Sequence, residues 1–329
     1  MQINAVIKKP KNPEEQEIEK QSLPPQKPKR RPESPVQGAR EDRALNAVIH
    51  VLLVIIAVMA FYPLYIVAIS SVSDPSYISS GQVFLLPRGL NVDAYEILLG
   101  AREIWIGYRN SLFYTVVGTA LQMVVTTAAG FALSRKTLPG RRFFVLFFLF
   151  TMYFSGGVIP TYFVLKDMGL LNTVWVLIIP VLVGPYNLVI SRSYFENSIP
   201  EELYEAAIVD GAGIFRYYHQ FAIPLAVPVL AVMVLNFALG HWNSYFNAMI
   251  YISDDNIQTL QVFIKRITSQ ATATLDSGEV SAEQMIESIR KTQLLKYAVV
   301  VVSSVPMIAL YPFVQRYFIQ GIMIGAVKG

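Results

Sequence analysis

Six stretches of this chain are apolar for long enough to cross a membrane, and polar segments separate them. They are residues 44–71, 111–133, 143–165, 174–194, 225–252 and 294–318. About 30 Å of hydrocarbon takes roughly 20 residues of helix, and without water every backbone N–H and C=O must pair inside its own segment. The pattern therefore predicts an all-α membrane protein with six transmembrane helices. Pro63, Ser155-Gly156-Gly157 with Pro160, Pro180 and Gly184-Pro185, and Pro306 with Pro312 fall inside spans, so kinks are expected there.

Composition agrees with the pattern. At 329 residues, 53% hydrophobic and only 15% charged, the chain is too apolar for a soluble domain. The net charge of +4 resides mainly in the N-terminal tail and short loops, with no basic patch interleaved with aromatics, and no nucleic-acid partner is expected. Absence of cysteine excludes disulfides and thiolate chemistry. His50, His219 and His241 are scattered, and no metal site is expected.

Residues 1–43 are rich in Pro, Lys and Glu and nearly devoid of apolar clusters. Such a segment buries too little to offset its ordering entropy, and it reads as a disordered cytoplasmic tail ahead of a 44–329 membrane domain. Lys and Arg near the membrane are retained on the cytoplasmic side. The tail, Arg135, Lys136, Arg141 and Arg142 in the loop after the second span, and Arg316 and Lys328 near the end all fall on one side. Both termini, and the loop 195–224, are thereby assigned to the cytoplasm; the long loop 253–293, helical-looking over 281–291, faces outward.

Loop 195–224 is the most polar interruption of the membrane domain. Ser198 and Glu201 have the spacing of a capping box, a helix should follow to Asp210, and Gly211 permits a sharp turn. A second short helix would run from Ile214 to about Phe221, until Pro224 pushes Ile223 from helical angles. Ala206 and Ala207 allow another surface to come close, and Glu205 and Asp210 offer carboxylates to it. Local physics equally permits an amphipathic hairpin lying on the membrane.

Glu205-Ala206-Ala207, Asp210-Gly211-Ala212 and Phe221-Ala222-Ile223-Pro224 resemble the Glu-Ala-Ala loop of ATP-binding-cassette (ABC) import permeases. Asn110-Ser111, Ser155-Gly156-Gly157, Gly240-His241-Trp242-Asn243-Ser244 and the terminal Gln320-Gly321 region are similar to the carbohydrate-import branch, related to the second maltose permease subunit and closest to oligosaccharide or polysaccharide-fragment permeases. The resemblance implies the type I ABC importer permease fold in a bacterial cytoplasmic membrane, with Glu205, Ala206, Ala207, Asp210, Gly211 and Pro224 coupling to an ATPase. It also implies a second homologous permease, two ABC ATPase subunits that bind ATP and Mg, and an extracytoplasmic sugar-binding protein.

Span five carries an unusual cluster of Asn236, His241, Trp242, Asn243, Tyr245 and Asn247. Polar groups at such depth face a bundle interior or a water-filled cavity. Amides with flat aromatic faces suit sugars, which makes Asn236, Trp242, Asn243 and Tyr245 the candidate oligosaccharide pathway. Interhelical hydrogen bonding and an interfacial aromatic belt are the competing explanation. The chain lacks a Gly-x-x-x-x-Gly-Lys-Ser/Thr phosphate cradle and offers no paired carboxylates for catalysis, so it is expected not to be an enzyme and to hold no cofactor itself. An ion-coupled secondary sugar transporter is the alternative; it would need intramembrane carboxylates or repeat-related broken helices.

Overall fold

The structure is a computed structural model that describes residues 35–276 and 282–326. Residues 1–34 of the proline-rich tail, 277–281 of the long loop and 327–329 at the C-terminus lie outside the described residues. The chain divides after Pro63 into two compact units. Helices α1 (Pro35–Ser70), α2 (Pro75–Ser79), α3 (Asp93–Gly100), α4 (Arg102–Ser134), α5 (Arg141–Tyr153) and α6 (Val158–Asp167) come first. Two 3₁₀ turns, Val174–Leu177 and Ile179–Val181, lead into α7 (Pro185–Asn197). Then come α8 (Glu201–Val209), α9 (Ile214–Tyr217), α10 (Ile223–Leu225), α11 (Val227–Trp242), α12 (Phe246–Tyr251), α13 (Leu260–Asp276) and α14 (Ala282–Ala326).

In the first unit, α1 exposes Leu45, Val51, Leu52, Ile55, Val58 and Phe61 around its circumference. A helix apolar on all sides is built for lipid rather than for water. It begins at Pro35, inside the segment read from sequence as tail, and passes through Pro63.

The second unit is organised around α4, which packs against α7, α11 and α13. Its buried stripe is small and polar: Gly107, Ser111, Gly118, Thr119, Gln122, Thr126 and Gly130 recur at helical spacing. Its outer face exposes Leu112, Val116 and Val124. Apolar attraction does not bring helices together in lipid, whereas missing side chains let backbones approach and polar groups bond across the seam. Gly107 shows this directly, since a Cβ there would stand 2.8 Å from the Leu260 Cα. The start of α4 also fastens the segment before α13. Asn110 Nδ2 donates to the carbonyls of Asn256 (2.8 Å) and Gln258 (2.9 Å), and Ser111 Oγ accepts from the Leu260 N–H at 2.9 Å.

Among the described residues, three helices are long and apolar enough to cross a membrane: 45–70, 102–134 and 292–312. Three bent pairs pass the same test jointly, giving up to six spans if each pair is one span. The kinks expected from Gly and Pro are larger than the sequence suggests. Segment 143–165 is α5 and α6 meeting at 119°, with Gly157 at φ +82 in the break. The 174–194 segment bends by 46° between its 3₁₀ turns and α7. The span drawn over 225–252 is not one helix: the chain bends by 82° at Ala226, and α11 stops at Trp242 before α12 begins. By contrast α14 continues through Pro306 and Pro312, and it begins near the helix read from sequence over 281–291.

Candidate functional site

Two short helices flank Gly211, and their geometry is set by the backbone. The Gly211 N–H donates to the Ile208 carbonyl and the Ala212 N–H to the Ala207 carbonyl, each at 2.9 Å, with Gly211 at φ +80. This pair of bonds is a Schellman motif: a left-handed residue after the cap closes the last carbonyls of α8. Ala207 and Ala212, brought together by it, are both buried in a cluster with Phe131, Phe195, Ile199 and Tyr217.

Two local expectations are corrected. Pro200, not Ser198, is the N-cap of α8, and no side-chain cap bond is made; the Ser198 N–H instead closes α7 on the Tyr194 carbonyl. With Pro200 held at φ −60 by its ring and extended at ψ 137, α8 starts at Glu201, two residues later than a cap at Ser198 would place it. Nor does Pro224 unwind the residue before it. Ile223 is helical at φ −64, ψ −49, because a π-turn over Tyr218–Ala222 widens the path ahead of the proline ring.

Of the loop residues singled out from sequence, Glu205, Ala206, Asp210, Gly211 and Pro224 are exposed, while Ala207 faces inward. The inner alanine lets α8 lie close on the cluster, and it is the outer one that leaves room for a second surface. Sequence reasoning missed Val209 and Phe215, which are 87% and 79% exposed. Apolar side chains at the tip of a polar loop were the available signal.

The bundle side of the loop is tied at several points. Tyr218 Oη lies 2.8 Å from Thr127 Oγ1 on α4. Arg141 donates to the Leu133 carbonyl at 2.8 Å and pairs with Glu196, which also pairs with Arg192 at 2.8 Å. Arg135, which ends α4, is 7% exposed.

A cavity of about 390 Å³ with a mixed polar and apolar lining lies between α4, α11 and the broken 174–187 segment. Asn236, Gly240, Ser244 and Asn247 line it from α11 and the segment after it, Gln122 from α4, and Val181, Gly184 and Asn187 from the broken segment. Gln122 is held at both ends of its amide, donating to the Val181 carbonyl at 2.6 Å with its oxygen 3.1 Å from His241 Nε2. The Asn187 Oδ1 is buried without a hydrogen-bond partner among the described residues.

The structure thus brings one of the four pathway candidates to this cavity. Asn236 lines it. Trp242 turns the other way, buried against Tyr108 and donating to the Ser303 carbonyl at 3.0 Å. Asn243 caps α11 and is exposed outside the cavity wall, and the Tyr245 hydroxyl meets Met249 Sδ at 3.1 Å. Sequence reasoning missed Gln122 and Asn187, although an amide within a span is the same signal that selected Asn236.

Comparison with known proteins agrees with this architecture. Residues 137–324 match the family described as binding-protein-dependent transport system inner membrane component. Protein LplC of Bacillus subtilis is 35% identical over 80% of this chain and 88% of its own length. The polygalacturonan/rhamnogalacturonan transport system permease protein YtcP of the same organism is 34% identical over 80% and 91%. A chain in the crystal structure of a bacterial ABC transporter involved in the import of the acidic polysaccharide alginate superposes with a TM-score of 0.71 at 34% identity, covering 85% of this chain and 98% of that one. A polar-seamed helical bundle, two short helices at one end and these matches together place the chain in the binding-protein-dependent inner-membrane permease family, among the sugar permeases of ABC importers.

Proposed function

We propose that this chain forms half of the translocation pathway of a type I ABC importer for oligosaccharides or polysaccharide fragments. In this reading it crosses the bacterial cytoplasmic membrane six times, pairs with a second permease, receives sugar from an extracytoplasmic binding protein and docks on separate ATPase subunits through α8 and α9. The observation that carries the reading is the two-helix loop. It presents Glu205, Ala206, Val209, Asp210 and Phe215 outward while its inner face is cemented to α4 and α7. A small residue beside exposed carboxylates and two exposed apolar side chains suits a protein cleft better than water.

The orientation has support as well. Arg135, Lys136, Arg141 and Arg142 flank the end of α4 beside that loop, and clustered cations belong on the cytoplasmic side. The ATP and Mg that power the cycle are assigned to the partner ATPase. Closure of the ATPase dimer would press the α8–α9 loops together and open the cavity outward. The named relatives serve polygalacturonan/rhamnogalacturonan and the acidic polysaccharide alginate, so uronate-rich fragments are the first substrates to try.

The test is co-purification with the ATPase. Glu205→Ala and Val209→Asp should release the ATPase and stop vanadate-sensitive uptake of a short oligogalacturonate, while the chain still inserts in the membrane. Normal co-purification and uptake in both variants would sink the docking assignment. An ion-coupled secondary transporter would instead lose uptake to an ionophore and ignore vanadate. No Asp or Glu is buried among the described residues, which leaves that alternative without its coupling carboxylate.

A further inference from the structure

Arg135 is a buried cation with almost no hydrogen bonding to account for it. Its guanidinium carbon lies 4.9 Å from the ring centroid of Phe131 on α4, 4.9 Å from that of Tyr204 on α8 and 5.8 Å from that of Tyr217 on α9. Its Nε donates to Ser134 Oγ at 3.3 Å, and Nη1 has no hydrogen-bond partner among the described residues. Glu201, at the first position of α8, stands at the rim with its carboxylate 3.9 Å from Nη1 and is 56% exposed. Tyr217 also meets each of the other two rings, Tyr204 edge-on at 5.0 Å and Phe131 at 6.1 Å.

Three segments therefore share one cation. Ring faces attract a guanidinium most strongly when water is excluded, and a flat guanidinium can lie over several faces at once. Tyr218, just past α9, also meets α4 through its ring on Phe131 and its hydroxyl on Thr127, but neither contact involves α8. Sliding α8 or α9 away from α4 would strip rings from a charge that has few bonds to fall back on, and a buried charge left bare is costly.

We propose that Arg135 is a positioning residue that locks α8 and α9 to the end of α4, so that a push on the loop reaches the central membrane helix instead of bending the loop. This rests on the ATPase-docking reading above. The cage has the right elements for it: one ring on the membrane helix, one on each loop helix, and the cation at the point where the chain leaves the membrane helix.

Because the chain has no cysteine, paired labels can be introduced cleanly at two exposed positions away from the docking residues named above, Glu202→Cys on α8 and Val124→Cys on α4. In the full transporter in lipid nanodiscs, the spin-label distance between them should be narrow and unchanged between nucleotide-free and vanadate-trapped states. Arg135→Met should broaden that distribution, Arg135→Lys should recover part of the sharpness, and the ATPase should still co-purify with both. Should Arg135→Met fail to assemble, Tyr204→Leu should broaden the distribution and Tyr204→Phe should not. A native distance that changes between the states, or an Arg135→Met distribution that superposes on the native one despite a lower melting temperature, overturns the inference. Failure of the native chain to hold the ATPase would sink the docking reading alone, because the nucleotide-free distance still reports the lock.

Discussion

Gly118 lies so close to the imidazole of His241 that a Cβ built on it would stand 2.5 Å from Cε1. One turn along α4, Gln122 meets Nε2 of the same ring at 3.1 Å. The two contacts fix the approach of α4 to α11 on the side that bounds the cavity. Gly118→Ala should cost about 1–3 kcal/mol, since overpacking forces a buried ring or backbone to shift. Thermal melting in detergent measures it. His241→Ala in the Gly118→Ala background should recover part of the loss, a coupling that a double-mutant cycle reads directly. A Gly118→Ala variant that melts with the parent would refute the close approach.

At Gly211 space is not the constraint, because a Cβ there would meet nothing within 4 Å. The backbone angle is. At φ +80 a β-branched residue is strained, and Gly211→Val should cost about 1–3 kcal/mol locally. Gly211→Asn should be milder, as Asn visits this region more readily. Hydrogen exchange at the amides of residues 211 and 212, which carry the Schellman bonds, should accelerate in the valine variant and change little in the asparagine one. Equal protection in parent and valine variant would contradict the motif.

The 255–266 and 74–290 ion pairs outside the spans give a pH signature. Hydrogen bonding from Arg266 holds the Asp255 carboxyl below its ordinary 3.8, and hydrogen bonds from Ser76 do the same for Asp74, assisted by Arg290. A carboxylate whose folded pKa is depressed contributes stability above its unfolded pKa and loses it as pH falls through the folded value. Local protection of 254–258 should therefore be constant from pH 7 to about 5 and fall below about 4. Hydrogen exchange corrected for intrinsic rates should show this decline in the parent and not in Arg266→Gln. Both groups are largely solvated, so the effect is confined to the loop and leaves the global melting temperature unmoved.

The membrane helices were legible because hydropathy and length carry the signal, and α1, α4 and α14 follow it. The breaks at Gly157, Ala226 and Trp242 were less so. A glycine or proline announces a weak point, but the size of a bend is set by what the two halves pack against, and that is a tertiary property. The same holds for the loop. Gly211 could be placed in a turn from its residue type, whereas Ala207 and Ala206 are identical in sequence terms and differ only in which side of α8 the bundle occupies. At the cavity, Asn236 and Trp242 lie six residues apart, and roughly 100° of rotation per residue sends them to different faces. Residue chemistry alone could not rank them; helical phase, anchored by the bond from Trp242 to Ser303, does.

That phase yields the last prediction. If the cavity wall of Asn236, Ser244 and Asn247 contacts sugar, replacing an amide by a leucine of similar size removes hydrogen bonds and leaves shape. A site built to bond a hydroxyl loses affinity when its polar partner is removed, typically by about 1–3 kcal/mol, or roughly a factor of 5–150. Asn236→Leu and Asn247→Leu should each raise the concentration of oligogalacturonate needed for half-maximal uptake, with ATPase co-purification unchanged. Asn243→Leu, outside the wall, should leave that concentration where it was. Trp242→Leu should instead lower the melting temperature, because it empties a core position shared with Tyr108, Leu260 and Leu294. Uptake that is insensitive to both Asn236→Leu and Asn247→Leu would move the sugar contacts to the partner permease, while greater sensitivity at Asn243 would move them to the other side of the break between α11 and α12.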